Sequence, residues 1–98
     1  MKVQWSDKAK ARLLEIHDFI AKDSPLRAKQ VIDRLTRRSE QLALHPRADR
    51  RVPEYHQDDL REVLERPFRL IYLVSPDRID IVTVKHYRQR LSENPDDL

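Results

Sequence analysis

Apolar and polar positions divide the chain into two halves with different periods. In the first half, Ala9, Leu13, Ile16 and Ile20 lie three or four residues apart, with Phe19 widening the stripe. Ala28, Val31, Ile32, Leu35, Ser39 and Leu42 form a second such stripe. That spacing puts side chains on one face of an α-helix, so two amphipathic helices are predicted. Ser6 suits an N-cap, and Asp7 then sits where the helix dipole favours negative charge. Lys22-Asp23 ends the first helix. Ser24 caps the second, and Pro25 takes its first position, where a missing N–H costs nothing. His45-Pro46 stops it. With so short a connection the helices must fold back as a hairpin.

The second half has period two. Phe68, Leu70, Tyr72 and Val74 alternate with Arg69, Ile71 and Leu73, and Ile79, Ile81 and Thr83 alternate with Asp80, Val82 and Val84. Alternation among β-branched and aromatic residues predicts strands. Ser75-Pro76-Asp77-Arg78 between them has turn chemistry, giving a hairpin from about Phe68 to Val84. Leu60-Arg61-Glu62 opens a further strand, and Lys2 to Trp5 a short one. The predicted fold is α+β: an N-terminal strand, then an α-helical hairpin packed on an antiparallel sheet formed with three C-terminal strands. Leu13, Ile16, Ile20, Val31, Ile32, Leu35, Leu70, Tyr72, Val82 and Val84 should share one core, with Trp5 and Phe19 also inside. Arg47 to Asp59 reads as a mobile polar connector. The sheet face away from the helices carries many polar residues and should stay open for binding.

Composition narrows this picture. The 98 residues make one domain, with residues 1–90 as an ordered core and 91–98 as a flexible tail. Charged residues are 38% of the chain and hydrophobic ones 39%, too apolar for disorder. There is no cysteine, hence no disulfide or thiol chemistry, which suits a reducing cytoplasm. No apolar run is long enough for a membrane span. There is no glycine, which removes Gly-rich phosphate loops, so turns fall to Pro, Asp, Asn and Ser. The net charge of +3 admits nucleic acid or an acidic protein as partner.

The candidate chemistry lies at the strands. Arg61, Arg66, Arg69, Lys85, Arg88 and Arg90 could converge to bind phosphate or carboxylate, or could simply form a solvated surface with Glu62 and Glu65. His86, Tyr87, Arg69 and Glu62 (or Glu65) include the types a metal-free nuclease needs: a base, an acid and a cation for the phosphorane. Adjacent strand residues point to opposite faces, so His86 and Tyr87 can act together only beyond a strand's end. His17, His45 and His56 have no metal-ligand spacing, and neither a metal nor another cofactor is expected.

Leu60-Arg61-Glu62, then Arg66-Pro67-Phe68-Arg69-Leu70-Ile71-Tyr72, then a strand ending His86-Tyr87-Arg88 resembles the RelE/ParE superfamily of bacterial toxin–antitoxin toxins. Trp5-Ser6, Phe19-Ile20-Ala21 and Asp23-Ser24-Pro25 extend the resemblance over roughly residues 1–90. It implies a cytoplasmic type II toxin, active in growth inhibition and plasmid stabilisation, held by a cognate acidic antitoxin (ParD-like or similar). Two activities compete within the superfamily. ParE-like members poison DNA gyrase without catalytic residues, and RelE-like members cleave messenger RNA on the ribosome. The long helical hairpin, the Leu60-Arg61-Glu62 strand and the modest net charge favour the ParE-like branch. On that branch Arg61, Arg69, Lys85, His86, Tyr87 and Arg88 would bind partners. On the other, His86, Tyr87, Arg69 and Glu62 would be catalytic. An inactive toxin-derived binding module is a third reading.

Overall fold

The computed structural model describes all of Met1–Leu98. Strand β1 (Lys2–Trp5) leads into α1 (Asp7–Ala21) and α2 (Pro25–Gln41). Strands β2 (Leu60–Glu65), β3 (Phe68–Val74) and β4 (Arg78–His86) follow, and a 3-10 turn spans Pro95–Asp97. Both helices begin as their caps predict. The Ser6 hydroxyl accepts the Ala9 N–H at 3.0 Å and the Ser24 hydroxyl accepts the Arg27 N–H at 3.1 Å. Helix α2 ends earlier than His45-Pro46, with Leu42 as its C-cap.

The sheet order is β1-β4-β3-β2. The three C-terminal strands are antiparallel, as expected, whereas β1 runs parallel to β4. The sheet is therefore mixed. The helical hairpin supplies the crossover that a parallel pair requires.

The helices cover one sheet face. Ala9, Ile16, Val31, Leu35 and Leu42 pack on Val63, Phe68, Leu70, Tyr72, Val74, Ile79, Ile81 and Val84. Leu13, Ile20, Val3 and Trp5 close the margin of this core. The Trp5 indole N–H donates to Ser39 Oγ at 3.2 Å, so its polar atom is satisfied at the core's edge. Two expected core residues lie elsewhere. Phe19 is 72% exposed, because α1 turns only the 9/13/16/20 face inward. Ile32 is half-buried beside Leu13, Leu14 and His17, outside the core.

Val82 is the third exception, and it has a backbone cause. The β3–β4 register passes from Tyr72↔Ile81 to Ile71↔Thr83, which leaves Val82 as an extra residue in β4. A β-bulge of this kind reverses the alternation beyond it. Ile79, Ile81 and Val84 therefore face the helices, while Val82 packs on the opposite side. The Val82 carbonyl accepts from the Ser6 hydroxyl at 3.3 Å and the Val84 carbonyl from Arg12 Nε at 3.1 Å. Helix α1 thus satisfies the edge of β4 that β1 is too short to pair.

The face expected to be open is covered. Val52, Leu60, Ile71, Leu91 and Leu98 form a second buried cluster there, with Tyr55 and Val82 against it. The 47–59 connector is tied to β2: Val52 N–H donates to the Leu60 carbonyl at 3.1 Å and Glu62 N–H to the Arg50 carbonyl at 3.0 Å. Its turn takes a left-handed residue at His56 (φ 55°), a position usually given to glycine, which this chain lacks. The 91–98 segment, read as a frayed tail, instead lies on the sheet. Leu91 and Leu98 are each 7% exposed, and the Tyr55 hydroxyl donates to the Ser92 carbonyl at 2.6 Å.

Candidate functional site

The candidate residues separate into two places. The first is the middle of the back face, where Glu62 on β2 and Arg69 on β3 meet. Glu62 Oε1 accepts Arg69 Nε at 2.9 Å, and Glu62 Oε2 accepts Arg50 Nε at 2.7 Å. Glu54, from the connector, takes both Nη atoms of Arg69 at 2.9 and 2.8 Å. The cluster holds two carboxylates and two guanidiniums. Glu62 is fully buried and Arg69 is 5% exposed, so each charge needs the other to remain inside. The Arg69 guanidinium holds the Glu54 carboxyl below the usual carboxylate range. The same bonds, led by the one to Glu54, favour the charged guanidinium still further.

Arg61 is also turned inward. Opposite Tyr72 on the helix side, it donates to the Asp58, Arg47 and Asp49 carbonyls at 2.9, 3.1 and 2.8 Å and pairs with Asp58 Oδ1 at 2.9 Å. It secures the connector's two ends. Tyr72 beneath it donates to the Pro46 carbonyl at 3.1 Å, and burial pushes its phenol pKa up to about 12.

The second place is the end of β4. His86 lies opposite Phe68, edge to face at 6.3 Å between ring centroids. The strand stops at His86, and Tyr87 N–H turns to the Pro67 carbonyl at 2.8 Å. The rule that adjacent strand residues oppose one another ends there. The His86 and Tyr87 rings stack, 5.0 Å apart at 28°. Arg88 N–H donates to His86 Nδ1 at 3.2 Å, which assigns the neutral ring's proton to Nε2. Arg88 Nε donates to the Tyr87 hydroxyl at 2.7 Å, and the Arg88 and Arg66 guanidiniums lie 5.2 and 5.9 Å from the Tyr87 ring centre. Lys85 is opposite Arg69 in register and half-buried. Desolvation, then Lys8 and Arg12, lower its pKa. Glu65 pairs loosely with Arg34 at 3.9 Å.

The structure therefore brings His86 and Tyr87 together and sets Glu62 and Arg69 apart from them. His86 shares the helix side with Phe68, while Arg69 and Glu62 are enclosed on the other face. The chain has no group of three His, Cys, Asp or Glu residues placed to hold a metal ion. No helix is long and apolar enough to cross a membrane.

Between the helical hairpin and this strand end runs a groove of about 550 Å³. Ile16, Ile20, Val31 and Phe68 line its floor, and Phe19, Arg12, Arg27, Arg34 and His86 its walls. Sequence reasoning missed Phe19 in this role, and it also missed Arg50 and Glu54 in the connector. For the connector the usable signal was Val52-Pro53-Glu54, an apolar residue in a charged run. For Phe19 it was an aromatic one position off the core stripe.

The chain matches the family model for the ParE toxin of the type II toxin-antitoxin system, parDE, over residues 3–91. A search of curated proteins gave no match. Among solved structures, the chromosomal ParDE TA system from P. aeruginosa contains a similar chain. It has 24% identity and a TM-score of 0.73, covering 88% of this chain and 95% of that one, a likeness that speaks for the fold. With the family model spanning nearly the whole chain, from β1 through the end of β4, this protein belongs to the family of ParE toxins of the type II parDE toxin-antitoxin system.

Proposed function

We propose that this toxin inhibits DNA gyrase without catalysing a reaction of its own, and that a cognate acidic antitoxin in the same cytoplasm neutralises it. One observation carries this reading: the four residues a nuclease would need are divided between two sites. Glu62 and Arg69 neutralise each other in a buried cluster, so neither can take a substrate proton or meet a phosphorane. His86 and Tyr87 stand together at the strand end, where Arg88 orients both through His86 Nδ1 and the Tyr87 hydroxyl, but neither the Glu62 carboxylate nor the Arg69 guanidinium is beside them to complete the set.

In this reading Lys85, His86, Tyr87 and Arg88 contact the target. The antitoxin lays an amphipathic segment along the groove beside Phe19. That groove is apolar on its floor, and its walls carry Arg12, Arg27 and Arg34 against a single carboxylate, Glu15, which suits an acidic segment with apolar anchors. Induced expression without the antitoxin tests the proposal. Gyrase inhibition predicts a DNA-damage response while translation continues. Immediate loss of translation with undamaged DNA would favour a ribosome-directed messenger RNA nuclease, and normal growth a binding module without toxicity.

A further inference from the structure

Lys85 is half-buried, whereas the other lysines of the chain, Lys2, Lys8, Lys10, Lys22 and Lys29, are exposed. It lies on the stretch of β4 that β1 leaves unpaired, and α1 supplies its neighbours. Arg12 Nε donates at 3.1 Å to the Val84 carbonyl, which belongs to the peptide joining Val84 to Lys85. Lys8, one turn earlier on the same helix, reaches the Asp97 carbonyl at 3.1 Å. Three side-chain cations thus gather at one edge of the sheet. The acids around them are engaged elsewhere. Glu15 is bound to Arg12 Nη1 at 3.1 Å, and Asp97 Oδ2 accepts the Ser92 hydroxyl at 2.7 Å. Across the strand pair, Arg69 is held by Glu54 and Glu62. None of these carboxylates pairs with Lys85. We propose that Lys85 is a nucleophilic lysine, acylated on its ε-nitrogen by small acyl phosphates whose phosphate Lys8 and Arg12 hold.

An amine attacks only after it has lost its proton. Burial and neighbouring cations both favour the neutral form of a lysine. Both act here: desolvation first, then Lys8 and Arg12, lower the Lys85 pKa. The same two cations give the reagent its place. Arg12 is fixed by its bonds to Val84 and Glu15, which leaves both Nη2 hydrogens free. The Lys8 ammonium has donors beyond the one given to Asp97. A phosphate bound between them sets the acyl carbon toward Lys85. In the step itself, Nζ attacks that carbon and an N–C bond forms. The C–O bond to phosphate breaks, and the oxygen keeps the electron pair. The proton lost from Nζ goes to the departing phosphate, so the products are an amide and hydrogen phosphate. Cations beside the leaving oxygen stabilise the charge that develops on it. An acyl thioester offers them no phosphate, which makes acyl phosphates the fitting reagent class. Acylation turns Lys85 into a neutral amide and ends the repulsion at this edge.

This inference does not rest on gyrase being the target. Purified toxin is incubated with acetyl phosphate near neutral pH, and acetylation at each lysine is followed by peptide mass spectrometry. Lys85 should react about tenfold faster than the exposed Lys2 and Lys22, within the range by which a local cationic field concentrates an anionic reagent. Inorganic phosphate should compete, slowing Lys85 and leaving Lys2 and Lys22 unchanged. An uncharged acetyl thioester, S-acetyl-N-acetylcysteamine, should favour Lys85 less, through its neutral amine alone. Lys8→Gln should reduce the preference shown by acetyl phosphate toward the thioester value, and Lys8→Arg should keep it. The proposal is overturned if Lys85 in the wild type reacts no faster than Lys2 and Lys22. Equal preference with the thioester, or no selective protection by inorganic phosphate, would also overturn it, as would an unchanged preference in Lys8→Gln that is folded by circular dichroism.

Discussion

Arg69 and Arg88 are the same side chain near the same pair of strands, in opposite environments. Arg69 is the second residue of β3, on the back face, where Glu62 from β2 and Glu54 from the connector enclose it. Arg88 lies past the end of β4, where no neighbouring strand supplies a carboxylate and only Tyr87 holds it. The contrast teaches that the face a strand position takes, and whether the residue lies within the paired strand or past it, decide what an arginine does. A guanidinium inside the sheet is buried with counter-charges and becomes architecture. One beyond the strand, held only through Nε, has no carboxylate on its Nη donors.

The comparison breaks most directly at Arg69. Arg69→Ala leaves Glu62 buried with only the half-exposed Arg50 as partner, and should cost about 3–5 kcal/mol in urea unfolding. Replacing both residues, Glu62→Leu with Arg69→Met, should recover most of that loss, since the penalty comes from the unpaired charge. Arg66→Ala and Arg88→Ala should stay within about 0.5 kcal/mol of the wild type, as exposed residues do. A loss at Arg88 equal to that at Arg69 would erase the distinction.

The helix-covered face should be similarly sensitive, for a different reason. Leu35 is fully buried on α2, and Leu35→Ala should cost about 2–5 kcal/mol through lost transfer energy and a cavity. No paired substitution in the ionic cluster should rescue it.

Acid should affect the back face in particular. Glu54 has a folded pKa below its unfolded value, so its contribution is complete above the ordinary glutamate pKa of about 4.3 and disappears as pH falls through the folded value. Glu54→Gln should therefore flatten the acid limb of a stability–pH curve, with a smaller effect at neutral pH. An unchanged acid limb would mean that the Glu54–Arg69 pair does not bind the connector to the sheet.

Much of this was legible in the residues. The caps Ser6 and Ser24, Pro25, the two helical stripes and the Phe68–Val84 hairpin all express local rules, and local rules can be read from one chain. The parallel pairing of β1 with β4 could not, because it joins segments from opposite ends of the sequence. The bulge at Val82 reversed a period that looked unbroken, since nothing in Ile-Val-Thr-Val marks an extra residue. The connector and the C-terminal segment were misread because a charged run resembles a solvated one unless its counter-charges are known. Ile71 held a clue: an apolar residue on the back face of a central strand needs a cover, and Val52, Leu91 and Leu98 provide it. At the candidate site, the residue types were visible, but their division between two sites depends on which face each strand position takes.

The central claim, a toxin that acts without its own acid–base pair, is tested most directly by giving the purified chain both targets. One reaction contains gyrase with supercoiled plasmid, the other translating ribosomes with a labelled message. The account predicts that cleaved DNA accumulates with gyrase while the message stays whole. A message cut on the ribosome, with cleavage lowered about 10²–10⁴-fold in folded His86→Ala or Tyr87→Phe, would contradict it and make the strand end a catalytic site.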